Sequence, residues 1–244
     1  MEVNILFLAV LFVVAIMYAS VGHGGASGYL ALMALFGVST MYMRSSALLL
    51  NLFVSAVSFY AFYRAGYFRI RILIPFILGS IPMAFLGARI VIDPNLFKSI
   101  LGIFLVIAVA RMVYVPNKDK KEIIPFSIVI AFFIGMVLGF FSGLIGIGGG
   151  IILSPVLLLL GWTNVKETAA ISAIFIFLNS VSGIIGLISV GVTFSPDVLI
   201  WAVIAIAGGL LGAYGGSFKL SILRLRYLLA FVLFLASIKL IFLT

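Results

Sequence analysis

The fold is decided by residues 143–150, Gly143-Leu144-Ile145-Gly146-Ile147-Gly148-Gly149-Gly150, read together with residues 22–28, Gly22-His23-Gly24-Gly25-Ala26-Ser27-Gly28. A shift of 124 residues carries Gly22, Gly24 and Gly25 onto Gly146, Gly148 and Gly149. The same shift carries Phe36-Gly37 onto Leu160-Gly161 and Val57-Ser58 onto Val181-Ser182, and one inserted residue brings Leu86-Gly87-Ala88 onto Leu211-Gly212-Ala213. Landmarks kept in order across whole halves mark an internal repeat. The chain reads as two membrane repeats, residues 1–116 and 117–244, joined through the polar stretch 116–122.

Both glycine clusters sit among long apolar runs. Of the 244 residues, 65% are hydrophobic and 9% charged, whereas a soluble domain carries roughly 25% charged residues. The chain therefore lacks the polar atoms to cover a water-facing surface. The runs are 4–21, 26–42, 45–63, 70–90, 95–114, 124–143, 149–161, 168–189, 197–217 and 222–243. Each is too long for a strand and none alternates apolar with polar residues, which excludes a β-barrel. The expected fold is an all-α, multi-pass integral protein of the cell membrane: two inverted-topology repeats of about five helical segments each, with a glycine-rich break before a short second segment. Met1-Glu2-Val3-Asn4 offers no basic region before the first run, so that run is read as a mature helix rather than a cleaved signal.

Charge placement supports this topology. The formal charge of +9 would suggest nucleic acid in a soluble protein, but in a membrane protein the enrichment of Lys and Arg on the inner side accounts for it, and no nucleic-acid partner is expected. With ten crossings and both termini outside, 11 of the 15 Lys and Arg residues fall inside and 4 outside. If only the second segment of each half dips in and returns, the best split is 8 against 7. Ten crossings are favoured, and an odd number per repeat inverts the two halves, as is common in secondary transporters.

The short second segments carry the functional expectation. Residues 149–161 make about 20 Å of helix, which is short of a hydrocarbon core of about 30 Å. If the glycine turns enter the membrane, each ends at a helix N-terminus whose free N–H groups and dipole amount to roughly half a positive charge. Glycine permits positive φ and close approach of a ligand to the N–H groups. The backbone groups of Gly22, His23, Gly24, Gly25 and Ser27, and of Gly146, Gly148, Gly149 and Gly150, are the candidate anion donors. By contrast, Gly135, Gly139 and Gly143, and Gly208, Gly212 and Gly216, recur every four residues and read as helix-packing faces. No Lys-Ser/Thr pair follows Gly146-Ile147-Gly148-Gly149-Gly150 and no strand precedes it, which argues against a P-loop or Rossmann motif.

Each third segment carries a polar stripe: Asn51, Ser55 and Ser58 in the first half, and Thr168, Ser172, Asn179, Ser182 and Gly186 in the second. Spacings of three and four residues place each set on one helix face. Amides and hydroxyls are costly in lipid, so these faces should turn inward, either as interhelical glue or as substrate lining. Asn51, Thr168 and Asn179 are the candidate side-chain donors. Arg44, seven residues before Asn51, reads either as a snorkelling interfacial residue or as an anion attractor. His23 is the sole His, and its counterpart is Ile147; it could take a coupling proton or act as a neutral hydrogen-bonding group. One His, no Cys and six carboxylates near segment ends provide no metal site, and no Ser, His and Asp set assembles at membrane depth. No cofactor and no catalysis are expected, and the absence of Cys rules out disulfides.

Two Gly-x-Gly-Gly-type motifs near the starts of homologous membrane halves, with Gly146-Ile147-Gly148-Gly149-Gly150 leading to Pro155-Val156-Leu157, resemble the sulfite exporter family named for TauE and SafE. The resemblance spans essentially the whole chain. The first half departs from it at His23, at Ala26 and at Ala31, where Pro155 would align. It implies a permease, often an exporter, for sulfite, sulfoacetate or other small sulfur-containing anions. The implied partners are a small anionic solute and the lipid bilayer; a homo-oligomer stays open. The expected mechanism is alternating access, with the inverted halves rocking about an anion held between the turns. The driving force would be the anion's own gradient and the membrane potential, or a coupled proton. An anion channel and a non-transporting membrane scaffold are the alternative classes.

Overall fold

In a bilayer every main-chain N–H and C=O must bond internally, so an apolar chain of this composition is driven into helices. The computed structural model describes residues 5–114, 126–218, 233–234 and 237–241. The junction 116–122 and most of the tenth expected segment, 222–243, lie outside the described residues. Among the described residues there is no strand. The helices are α1 (Ile5–Ser20), α2 (Ala26–Leu35), α3 (Thr40–Arg64), α4 (Ile70–Arg89), α5 (Pro94–Tyr114), α6 (Ile128–Ile145), α7 (Gly150–Leu159), α8 (Val165–Ser189) and α9 (Val198–Phe218). Helices α3, α4, α6, α8 and α9 are long and apolar enough to cross a membrane. Large apolar side chains such as Leu78, Val137, Leu199 and Val203 are exposed on the outer surface, as a lipid-facing surface requires.

Boundaries follow local chemistry. Ser39 caps α3 by accepting from the Met41 N–H, and Ser127 caps α6 by accepting from Ile130. Asn164 and Glu167 form a reciprocal capping box at α8. The second apolar run, expected over 26–42, is broken: α2 stops at Leu35 because Gly37 turns at φ 72°, and α3 then starts afresh at Thr40. Gly161 makes the corresponding turn after α7, at φ 66°.

Ten residues give α2 and α7 about 15 Å each, half of a hydrocarbon core, so neither crosses alone. The chain instead reverses at the first glycine turn. A Cβ on Gly28 would meet Val14 and Tyr18 of α1 at 2.6 and 2.7 Å, and the Tyr18 hydroxyl lies 2.6 Å from Ser27 Oγ. Helix α2 therefore lies back along α1.

The tightest helix pairs join the two sequence halves rather than form within them: α1 with α9 and α4 with α6. Glycines make this closeness possible. Cβ atoms on Gly135, Gly139 and Gly143 would strike the carbonyl oxygens of Phe76, Ser80 and Ala84 on α4. Those on Gly208 and Gly212 would strike the Phe12 and Ile16 carbonyls of α1. The expected packing faces are thus observed, apart from Gly216, whose surroundings lie outside the described residues. Helix α3 packs on α8 and α9, and α8 on α3 and α4, so α3 and α8 form the centre. Gly143→Leu should cost about 3 kcal/mol because backbone on α4 must move. Gly37→Ala meets open space and should cost only the ~1–2 kcal/mol of left-handed strain. Thermal unfolding in detergent would rank the two variants.

Candidate functional site

The two glycine turns converge on one side chain. Asn51, on central helix α3, is fully buried. A Cβ on Gly24 would collide with its Oδ1, and a Cβ on Gly148 would meet its Nδ2 at 2.5 Å. The amide therefore lies between the turns, oxygen toward the first and nitrogen toward the second. Neither amide atom has a hydrogen-bond partner among the described residues. On the far side Ile176 of α8 touches both turns, with its Cγ2 3.0 Å from the Cβ position of Gly24 and 2.9 Å from that of Gly148.

Each turn ends in an open helix start. Gly25 precedes α2 with φ 101° and Gly149 precedes α7 with φ 73°, and no side chain caps either helix. This contrasts with α3, α6 and α8, whose first N–H groups are satisfied by Ser or Asn. Among the described residues, no protein acceptor takes the N–H of Gly24 through Gly28, or of Gly148 through Gly150. Two sets of unspent donors and an unspent amide thus share one buried place. Tyr18, His23, Gly24, Gly25, Ala26, Ser27, Ile147, Ile151 and Ile176 line a small cavity there, with room for about one water molecule.

His23 connects the halves. Its Nδ1 lies 2.9 Å from the Val21 carbonyl and its Nε2 lies 2.9 Å from Ser154 Oγ on α7. A carbonyl only accepts, so Nδ1 carries the hydrogen. Ser154 Oγ is also 2.8 Å from Ser172 Oγ on α8 and 3.0 Å from the Gly150 carbonyl. Ser154 and Ile176 are missed by sequence reasoning. The lone Ser in the apolar α7 run was a legible signal, whereas nothing distinguishes Ile176 from its apolar neighbours.

The other expected donors have local partners. Thr168 Oγ1 bonds to Thr163 and to the Asn164 carbonyl at the start of α8. Asn179 Nδ2 donates to the Phe175 carbonyl at 2.8 Å, while its Oδ1 is buried without a partner. Arg44 does not line the cavity. Its guanidinium donates to the Ala88 and Ile90 carbonyls, where α4 ends, at 2.7 and 3.0 Å, and to the Gly143 carbonyl of α6 at 3.0 Å. A cation at a helix C-terminus is electrostatically favoured. The main chain of Arg44 also packs on Gly146, 3.1 Å from that glycine's Cβ position, so Arg44 fixes the approach to the second turn. The polar stripes on α3 and α8 face inward as expected, all buried, and Ser182 serves as glue by donating to Ile81 of α4. No group of three His, Cys, Asp or Glu that could hold a metal occurs among the described residues.

A polytopic helical membrane protein with two uncapped helix starts meeting at its centre is the class these features define. The chain belongs to the sulfite exporter TauE/SafE family, whose model matches residues 6–240. It is 36% identical over 235 residues to the probable membrane transporter protein y4hK of Sinorhizobium fredii, covering 94% of this chain and 95% of that protein. A probable membrane transporter protein of Methanocaldococcus jannaschii is 32% identical over 156 residues, 58% of this chain and 56% of that one. The probable membrane transporter protein YunE of Bacillus subtilis is 31% identical over 131 residues, 44% and 47% of the two chains. No solved structure matches the chain.

Asn51→Ala removes no hydrogen bond and should change stability by less than about 1 kcal/mol. Ser154→Ala breaks the bridge between His23, Ser172 and α7 and should cost about 1–2 kcal/mol. Thermal unfolding of the two purified variants checks the contrast; a larger loss for Asn51→Ala would make that amide structural.

Proposed function

We propose that this protein is a secondary transporter of small sulfur-containing anions such as sulfite or organosulfonates, working by alternating access and chiefly as an exporter. The observation that carries this reading is the Asn51 amide, unpartnered and buried between the uncapped starts of α2 and α7. Unsatisfied polar groups in a dry interior cost about 1–3 kcal/mol each. A ligand that accepts from the turn N–H groups and from Asn51 Nδ2 would recover that energy on binding. Sulfur oxyanions present several acceptor oxygens around one centre, which suits donors arriving from two sides. The family match and the named relatives favour transport over a scaffold role.

The cavity is too small for such an anion as it stands, so binding requires the turns to separate. Carbonyl-level packing of α1 on α9 and of α4 on α6 holds those pairs together. Motion between two such cross-half bodies, hinged about α3 and α8, would open the site without breaking either pair. The two bodies would be related by the inverted repeat, with both chain termini outside. An inside-negative potential would then drive a bound anion outward at about 2.3 kcal/mol per charge per 100 mV.

Flux of labelled sulfite into proteoliposomes tests the reading. The unmodified chain should show saturable uptake and counterflow exchange. Asn51→Ala, folded and inserted, should lose at least about tenfold of the rate, equivalent to 1.4 kcal/mol. Gly148→Val, which forces a branched side chain onto φ 71° and into Asn51, should abolish flux. Undiminished flux in both variants would overturn the proposed site, and single-channel currents would replace the carrier by a pore.

A further inference from the structure

We infer that the anion bound here carries a hydrogen-bond donor of its own, an O–H or N–H on the sulfur, and that the Asn51 carbonyl oxygen receives it; this rests on the anion site proposed above. The unspent groups at the two turns fall into three kinds. The N–H groups of the helix starts and Asn51 Nδ2 can only donate. Two buried hydroxyls without a partner among the described residues stand beside the turns and can donate or accept. The Tyr29 hydroxyl lies 2.7 Å from the Cβ position of Gly25, and Ser142 has its Cβ 3.6 Å from that of Gly149. Asn51 Oδ1, against Gly24, is the third kind, since an amide oxygen can only accept.

An oxyanion that has only acceptor atoms satisfies the first two kinds. The N–H groups and Asn51 Nδ2 donate to its oxygens, and the two hydroxyls turn to do the same. Such a ligand leaves Asn51 Oδ1 buried and unmet, and a buried acceptor without a donor is costly. A ligand with one O–H or N–H beside its oxygens satisfies all three. Exchanging the oxygen and nitrogen of the amide would alter which turn the acceptor faces and would keep the requirement.

The acceptor also orients the ligand. The shift of 124 residues that carries Gly24 onto Gly148 carries Asn51 onto Phe175, so the second half repeats no amide at this position. Phe175 Cε1 instead lies 2.9 Å from the Cβ position of Gly149, and the Ile176 side chain stands against Gly150. The donor-bearing end of the anion therefore points toward Gly24, and its oxygens point toward Asn51 Nδ2 and the start of α7. Among sulfur oxyanions, acid sulfite in its HO–SO2 form meets this pattern with a single negative charge. The sulfite dianion and simple alkanesulfonates lack the donor.

The test is calorimetric titration of the purified full chain, near neutral pH, with sulfamate and with methanesulfonate. Both are monoanions of nearly the same size, and they differ in carrying an amino or a methyl group on the sulfur. Sulfamate should bind at least about tenfold more tightly, because a site built to pair a donor rejects the analogue that lacks it. At a site made only of donors the amino group would lose its water without replacement, and sulfamate would be the weaker ligand. Asn51→Leu, which keeps a similar volume, should bring the ratio to one or below. Tyr29→Phe should weaken both anions and keep their ratio. Equal or tighter binding of methanesulfonate by the unmodified chain overturns the donor requirement and leaves the anion site standing. A preference for sulfamate that survives Asn51→Leu overturns the assignment to Asn51. No binding of either anion, or of sulfite, overturns the anion site and this inference with it.

Discussion

A helix that begins in a buried, apolar interior has N–H groups with nothing around them to receive them, and this constraint organises the centre of the protein. The starts of α3, α6 and α8 meet it with side-chain caps from Ser39, Ser127 and Asn164. Helices α2 and α7 do not. Their starts lie buried behind left-handed glycines, without caps, on either side of Asn51. Such an arrangement persists only where the rest of the structure holds it in place. Here the hold comes from α1 packed on α9 and α4 packed on α6, each at the distance of backbone contact, and from the Arg44 guanidinium tying the end of α4 to α6.

The same packing alters the picture of how the molecule would move. Two sequence halves that were separate bodies would contact each other mainly at one face. Instead the first helix of one half is paired with the fourth helix of the other, and the reverse pairing also occurs. Any opening at the turns has to keep these exchanged pairs, because separating them would expose carbonyls and glycine grooves to lipid. In the proposed mechanism, movement would be directed across α3 and α8, the helices that carry Asn51, Ile176 and Ser172. The side chains between the turns lie where the relative displacement would be greatest.

Much of this was legible beforehand. Apolar runs identified the described helices to within a few residues at most ends, and the 124-residue shift identified both glycine turns. The boundaries that differ most, α2 ending at Leu35 rather than residue 42 and α3 starting at Thr40 rather than residue 45, are instructive. Gly37 was already matched with Gly161 by the repeat, but an unbroken apolar run through Met41 and Tyr42 outweighed one glycine. Asn51 was picked out as a polar group on an inward face. Thr168 and Arg44 were picked out on the same grounds, yet their bonds go to nearby backbone and hydroxyl groups. Residue type and helical phase show which side chains turn inward, and they are silent on which of those find partners.

The amino-acid sequence by itself determined a helical membrane protein, its glycine turns and its family, because hydrophobic length, spacing and motif are properties of the chain read in one dimension. Tertiary structure alone decided that both turns meet at a single amide, that His23 reaches across 131 residues to Ser154, and that the helix pairs are exchanged between halves. Those outcomes depend on which surfaces approach within hydrogen-bonding distance. That approach is set by the packing of glycine-lined helices far apart in the chain, which no local pattern encodes.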